Sequence, residues 1–515
     1  MSTKVVIKQS TYFDSVSLMS LSTKANQIEG VEQAVIAMGT EMNKEVLKNV
    51  GLLTPELEAA KNSDLMIVVK AATEELAESA YVQIEELFTK KKGGSKGGSE
   101  IKYATIDSAA ASIPEANLAI ISVNGAFAAR EARKALENDL HVMLFSDNVS
   151  IEDEIALKQY AHEKGLLMMG PDCGTAIING VALCFGNAVR KGSIGIVGAS
   201  GTGSQEVSVR IHDFGGGITQ LIGTGGRDLS EQVGGIMMID GIKALEADAV
   251  TKVIVLISKP PAASVQKKVL AQVKNCTKPV VVYFIGGDEE AVVAAGGHFA
   301  KTTKEAALQA VVLAGANEDK INKRALNWPL IEEVRAKLAP EQKYVRGLFC
   351  GGTLCDEAMY LAMETFADVY SNIQKNPDYK LKNIHESKAH TYLDMGDDDF
   401  TNGKPHPMID PSLRIARFLQ EAKDPSVGVI LMDFILGFGS HEDPVGVMLP
   451  AIVEAKAQAA KAGTHLEILG YVMGTDLDTP NFDEQVKKLM DAGVTIASSS
   501  TNAGLLAREF VVKGA

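Results

Sequence analysis

The sequence lacks the cysteine pattern of a disulfide or zinc framework. Its five cysteines, Cys173, Cys184, Cys276, Cys350 and Cys355, form no Cys-x-x-Cys pair and are odd in number. That usage points to a reduced compartment with mostly buried thiols. His385 and His390 lie too far from any cysteine to suggest zinc. No apolar run approaches the length of a membrane span, and the start Met1-Ser2-Thr3-Lys4-Val5-Val6 has no signal-peptide apolar segment, so a cytoplasmic location is expected. Positive charge is also short. There are 51 Lys and Arg against 65 Asp and Glu, a net charge of −14, and the basic residues are scattered. This argues against nucleic acid or an anionic membrane as partner. Neither Gly-x-Ser-x-Gly nor a P-loop Lys-Ser/Thr occurs, and no Gly-x-Gly-x-x-Gly follows the first strand, which disfavours nicotinamide binding.

What remains is a long soluble chain. Its 515 residues, 46% hydrophobic and 23% charged, supply several cores and room for three or four domains. Continuous apolar runs such as Ile194–Val197, Val253–Ile257, Val280–Phe284 and Val429–Asp433 alternate with helix-period segments. That alternation predicts an α/β fold: several doubly wound, Rossmann- or flavodoxin-like domains with mostly parallel sheets. The expected divisions are an N-terminal α/β unit at 1–92, a Lys/Gly/Ser-rich linker at 93–100, a Rossmann unit at 101–190, a flavodoxin-like domain at 191–325, a linker at 326–343 where Trp328-Pro329 and Ala339-Pro340 interrupt the pattern, and a second flavodoxin-like domain at 344–515.

Glycine-bearing turns at strand ends carry the candidate chemistry. Ser200, Gly201, Thr202 and Gly203 follow Ser193–Val197 and open a helix, a natural seat for a phosphate, with Glu206 just beyond. Gly437, Phe438, Gly439 and Ser440, with His441, read as a second strand–turn–helix start, so two helix N-termini are expected to share one phosphate. Gly225, Gly226 and Arg227 form a third turn; Arg227 suits a phosphoryl or carboxylate oxygen, or pairs with Asp228 or another acid. Asp172 and Cys173 lie in the turn Gly170–Thr175, where Cys173 is either a small residue filling a tight turn or a reactive thiol. Asp394–Asp410 is rich in carboxylates and reads as a solvated acidic loop or a seat for a cation, with His406 pinned between two prolines.

In this order and spacing, Gly170-Pro171-Asp172-Cys173, Gly195–Thr202, Gly225-Gly226 and Lys278–Val281 resemble the α subunit of succinyl-CoA synthetase. Tyr392–Gly396 and Met432–Gly439 resemble turns in the carboxyl-terminal domain of the same enzyme's β subunit. The whole chain is identified as similar to the FdrA family through Asp14–Met19, Phe145–Val149, Gly225–Leu229 and Pro405–Pro411. The resemblance implies a phosphate cradle at Ser200–Thr202 and Gly437–Ser440, with Glu206 in the place of a histidine-contacting glutamate. The chain departs from the synthetases in three ways. The phosphohistidine loop expected after Val280–Phe284 is missing, and His298 reads as part of a strand ahead of Lys304–Leu313. The ATP-grasp domain is absent. The glycine-rich CoA turn has no counterpart, so CoA is not an assured ligand. The resemblance thus implies a carbamoyl- or acyl-phosphate-handling transferase subunit in a homo- or hetero-oligomer, such as one converting oxalurate and phosphate to oxamate and carbamoyl phosphate. Glu206, Arg227 and His441 would be its catalytic groups, and Asp172, Cys173, Gly225, Gly226 and His406 its substrate loops, with no metal. The alternatives are an acyl-CoA synthetase component that borrows an ATP-grasp partner and a non-catalytic scaffold.

Overall fold

The computed structural model describes every residue except 1, 10, 12, 14, 27, 29, 41, 42, 45, 46, 49, 50, 62, 91–101, 402, 403 and 513–515. The expected linker at 93–100 lies outside the described residues. The chain divides into two units, Met1–Lys102 and Tyr103–Ala515.

The first unit is built on strands β1 (Ser2–Lys8), β2 (Val31–Met38) and β3 (Leu65–Ala71) in the order β1-β3-β2, with both pairings antiparallel. The central strand alternates its side chains between two cores. Leu65, Ile67 and Val69 pack with Leu18, Leu21 and Ile84; Met66 and Val68 pack with Leu47 and Leu57.

The second unit holds three sheets. Strands β4 (Leu118–Ile121), β5 (His141–Leu144) and β6 (Met168–Met169) form a short parallel sheet. The next contains β7 (Thr175–Ile178), β8 (Val181–Cys184), β9 (Lys191–Ala199), β10 (Ile218–Gly223), β11 (Val253–Ser258), β12 (Val280–Phe284) and β13 (His298–Phe299), in the order β13-β12-β11-β9-β10-β7-β8. It is parallel from β13 to β10, and the β7–β8 hairpin adds on antiparallel. The hairpin precedes the domain boundary expected at 190/191, yet it completes this sheet through the Leu221–Ile177 pairing. The third sheet, with β14 (Tyr344–Phe349), β15 (Val369–Ser371), β16 (His390–Asp394), β17 (Val427–Ile435), β18 (Glu467–Met473) and β19 (Thr495–Ile496), runs β15-β16-β14-β17-β18-β19 and is parallel throughout.

Each large sheet is largely apolar on both faces because helices cover both, which is why β11 and β12 read as near-continuous apolar runs and β17 and β18 are interrupted only by Asp433 and Glu467 among acids. The stretch expected as a linker at 326–343 contains the helix Trp328–Lys337. Asn327 caps it, Pro329 sits in its first turn, and Ile331 and Val334 enter the core beside Val345 and Phe510. A proline that would break a helix interior starts this one. No helix among the described residues is long and apolar enough to cross a membrane.

Candidate active site at the carboxyl ends of the sheets

In parallel sheets the loops beyond the carboxyl ends of the strands form the ligand crevice. The chain leaving β9 turns at Ser200, whose hydroxyl accepts the Gly203 N–H at 3.1 Å and caps the helix Gly201–Asp213. The chain leaving β14 turns through Cys350-Gly351 into the helix Gly352–Met363. Here the cap is remote. Fully buried Asp433, on β17, accepts the Cys350 and Gly351 N–H groups at 2.8 Å each and pairs with Arg414 at 3.2 Å. The two helix starts meet. The Ser200 and Thr353 hydroxyls are hydrogen-bonded, and the Thr353 N–H points at Thr202 Oγ1 at 3.4 Å. A Cβ on Gly203 would lie 2.8 Å from Thr353 Cγ2, so glycine lets the second helix approach. The Thr175 hydroxyl is buried, has no hydrogen-bond partner, and lies 3.6 Å from where a Gly201 Cβ would stand.

The second helix start was expected at Gly437–Ser440 and is instead at Gly351–Thr353. After β17 the chain stays in turns until the helix Leu449–Lys461. Gly437 (φ +118°) and Gly439 (φ +78°) are shaped for docking: the Phe438 N–H donates to Gly186 O at 3.1 Å, and Gly439 lies against Phe185. Ser440 Oγ is buried without a partner. His441 closes its own turn, with Nδ1 accepting the Asp443 N–H at 3.0 Å and its backbone N–H donating to Met408 O at 2.8 Å, so it does not stand at a helix N-terminus. Asn187 ties this turn to the first helix: its amide donates to Leu436 O and Asp478, and Gln205 donates to Asn187 Oδ1 at 3.0 Å.

A charged cluster surrounds the paired helix starts. Lys259, at the end of β11, lies 3.7 Å from Asp356 and 3.8 Å from Asp394. These carboxylates raise its pKa against the opposing effect of burial. Asp394 is pushed up to about 7, chiefly by desolvation, and Asp356 is raised for the same reason. Asp172, in the turn after β6, is exposed at the surface; crowding by the surrounding chain and the Asp147 and Asp398 carboxylates push it up to about 6, while Lys259 and Arg227 oppose the rise. All three sheets therefore contribute to one crevice. Arg227 is half-exposed, donates to Val149 O at 2.8 Å and pairs with Glu154 at 2.9 Å. Asp228, its neighbour, is held instead by buried Lys158 at 2.8 Å. Gly225 (φ +85°) brings its turn against the Pro171 carbonyl, and Gly226 comes near Asp172. Cys173 is buried beneath that turn with its thiol pushed up to about 12 by desolvation, which fits a filler of the turn rather than a nucleophile. His406 is pressed down to about 4 by burial; its Nδ1 accepts the Met408 N–H at 3.2 Å and its ring packs on Gly396.

Glu206 is fully buried behind the first helix start. It accepts from the Tyr471 hydroxyl and from the Ser500 N–H at 3.1 Å, and Arg210 lies 3.7 Å away. Burial raises its pKa, against the pull of Arg210 and these donors. Its counterpart is Glu357 on the second helix. Glu357 accepts the Thr303 N–H at 2.7 Å, the Thr303 and Thr501 hydroxyls, and Tyr283 at 3.4 Å. Desolvation, with Glu206 nearby, lifts it to about 7. Each glutamate thus crosses from its own helix to the first N–H of a helix in the other half. The sequence carries the sign of this pairing: Gly201-Thr202-x-x-x-Glu206 recurs as Gly352-Thr353-x-x-x-Glu357. Lys259, Gly352, Thr353, Asp356 and Glu357 are the site residues that the sequence reading missed.

Three family models match parts of the chain. A model described as CoA binding domain matches residues 189–286, one described as CoA-ligase matches 348–510, and one described as AllF, heavy metal-associated domain, matches 1–105. The uncharacterized protein YahF of Escherichia coli (strain K12) is 66% identical over 514 residues, covering 100% of this chain and 99% of its own. The chain belongs to the YahF family. It is also 28% identical over 209 residues to succinate–CoA ligase [ADP-forming] subunit alpha 1 of Archaeoglobus fulgidus, across 38% of this chain and 70% of that one. Among solved structures, the dinucleotide-forming acetyl-coenzyme A synthetase 1 of Ca. Korarchaeum cryptofilum aligns with a TM-score of 0.34 and 15% identity, over 81% of this chain and 88% of that one. The chain therefore carries CoA-binding-type and CoA-ligase-type domains.

One group that these family descriptions imply does not fit the residues present. Residues 1–105 contain neither Cys nor His, so they lack the thiolate and imidazole ligands of a heavy-metal site. Among the described residues no three His, Cys, Asp or Glu side chains are grouped to hold a metal ion.

Proposed function

We propose that this chain is the acyl-transfer subunit of a CoA-ligase-type enzyme and that it binds an acyl phosphate between the helix starts Ser200–Gly203 and Gly351–Thr353. The observation that carries the reading is the meeting of two helix N-termini from separate parallel sheets. Their aligned dipoles favour a phosphoryl anion, and the Ser200, Thr202 and Thr353 hydroxyls hold the two starts together. The buried, unpartnered Thr175 hydroxyl beside Gly201 adds a donor aimed at the same place. In the transfer the acyl carbon–oxygen bond breaks, the acyl group passes to an acceptor nucleophile, and phosphate leaves into a pocket already oriented for it.

Carbamoyl phosphate, the finer reading drawn from the FdrA resemblance, is the second candidate. One observation favours direct use of such a phosphate over a phosphohistidine. After β12 the chain turns at Ile285–Gly287 straight into the helix Glu289–Ala294. His298 pairs with Val281 near the amino ends of the strands, opposite the cradle. Partner subunits would supply the acceptor and any nucleotide chemistry.

Calorimetric titration with inorganic phosphate and acetyl phosphate tests the reading. The wild-type chain should bind both, and Gly201→Asp, which sets a carboxylate in the cradle where a side chain has room, should bind neither. Equal binding by the two proteins would remove the cradle from the account. Acetyl-CoA formation from acetyl phosphate and CoA, set against consumption of carbamoyl phosphate, separates the two substrates.

A further inference from the structure

We infer that Lys259 is the cationic anchor of this site, the group that selects a phosphoryl dianion over a singly charged carboxylate. The inference rests on the phosphate reading above and adds the residue that sets charge selectivity. Lys259 ends β11 and reaches the first residue of the helix Gly352–Met363. A Cβ on Gly352 would lie 2.9 Å from Lys259 Nζ and would collide with Asp394 Oδ2, so a glycine there lets an ammonium and a carboxylate both approach the helix start.

The electrostatics of this placement are unfavourable by themselves. A cation stands at the positive end of the helix Gly352–Met363, where anions are stabilised and cations are not. The flanking carboxylates more than offset this: Asp356 and Asp394, at 3.7 and 3.8 Å, raise the Lys259 pKa even against burial, so the ammonium stays charged at the helix start. Both acids are more than nine-tenths buried, whereas Lys259 keeps 40% of its side chain exposed and can turn toward the crevice. An ammonium and two helix starts around one point are complementary to a group with two negative charges and several acceptor oxygens. The carboxylates keep the lysine charged and in place.

Calorimetry with inorganic phosphate and with acetate on the full chain tests this. Wild type should bind phosphate and prefer it clearly to acetate. Lys259→Met should weaken phosphate by about tenfold or more, the equivalent of a charge-assisted hydrogen bond, and narrow the preference over acetate. Lys259→Arg should stay within a few-fold of wild type. The double variant Lys259→Met with Asp394→Asn removes one charge of each sign, so it should melt near wild type and still bind phosphate weakly. That result separates a ligand contact from a fold defect. Phosphate binding by Lys259→Met equal to wild type overturns the inference alone. A wild-type chain that binds no phosphate overturns the reading of the site and this inference with it.

Discussion

Glu357 offers the sharpest test of the electrostatics at the junction. It is 3% exposed, and its carboxyl is lifted from 4.5 to about 7 by desolvation, with Glu206 adding to the rise and the Thr303 and Ser500 donors opposing it. An acid with a raised folded-state pKa binds more protons folded than unfolded within that window. Its contribution to stability is therefore greatest below about pH 4.5 and is lost as pH rises through about 7. The difference of about 2.5 units corresponds to roughly 3 kcal/mol. Glu357→Gln is neutral at every pH. Its amide oxygen can still accept the Thr303 N–H, and the Thr303 and Thr501 hydroxyls can rotate to accept from its NH₂. The variant should thus match wild type within about 1 kcal/mol near pH 5 and exceed it by up to about 3 kcal/mol near pH 8. Trp328, the single tryptophan, lies in the second unit, so urea unfolding followed by its fluorescence reads the relevant transition. Asp394 and Asp172 titrate in both proteins and cancel in the comparison. A difference between variant and wild type that does not change between the two pH values would refute the reasoning.

Three further outcomes follow from particular contacts. Asp433→Ala leaves the Cys350 and Gly351 N–H groups and the Arg414 guanidinium buried without their acceptor, and should cost about 3–5 kcal/mol in urea unfolding, against about 2 for Asp433→Asn; equal midpoints for the two variants would contradict the capping role. Gly225→Ala meets both a φ of +85° and the Pro171 carbonyl, and should cost about 2–4 kcal/mol, whereas Gly201→Ala, with only Thr175 Oγ1 nearby at 3.6 Å, should cost under about 1; the reverse order would unseat the turn geometry. Cys173, buried and pushed up to about 12, should resist a thiol reagent in the native chain near pH 8 and react once the chain is unfolded in urea, as mass spectrometry of the labelled peptide would show.

The large sheets were legible because strands buried on both faces are mostly apolar, as Val253–Ile257 and Val280–Phe284 are. Ser200–Gly203 was legible as a helix start because a cap hydroxyl and small residues follow directly on a strand. Gly437–Ser440 looked the same and is not one, since positive-φ glycines serve a docking turn as well as a helix start, and a sequence does not tell which surface a turn meets. The true partner lacks a cap side chain of its own. Its capping acid is Asp433, 82 residues from Gly351, so no local pattern marks it. Lys259 follows an ordinary apolar strand and becomes notable only when Asp356 and Asp394 arrive from the other half. The repeated Gly-Thr-x-x-x-Glu was the one signal in reach.

That repeat explains why the two halves meet where they do. In each copy the threonine lies in the first turn, facing the opposite helix start, and the glutamate sits one turn further in, where it accepts the leading N–H of the other half's last helix. The tyrosines repeat the exchange: Tyr471 of β18 serves Glu206, and Tyr283 of β12 serves Glu357. Two buried acids, each raised by burial, would weaken an ordinary interface. Here they orient four helices around one point, and the crossed bonds make the position of either helix start depend on the other. A change at Glu357 should accordingly reach the Ser200 side of the cradle. The junction is the part of this chain where stability is given up for geometry, the pattern expected of a site rather than of a core.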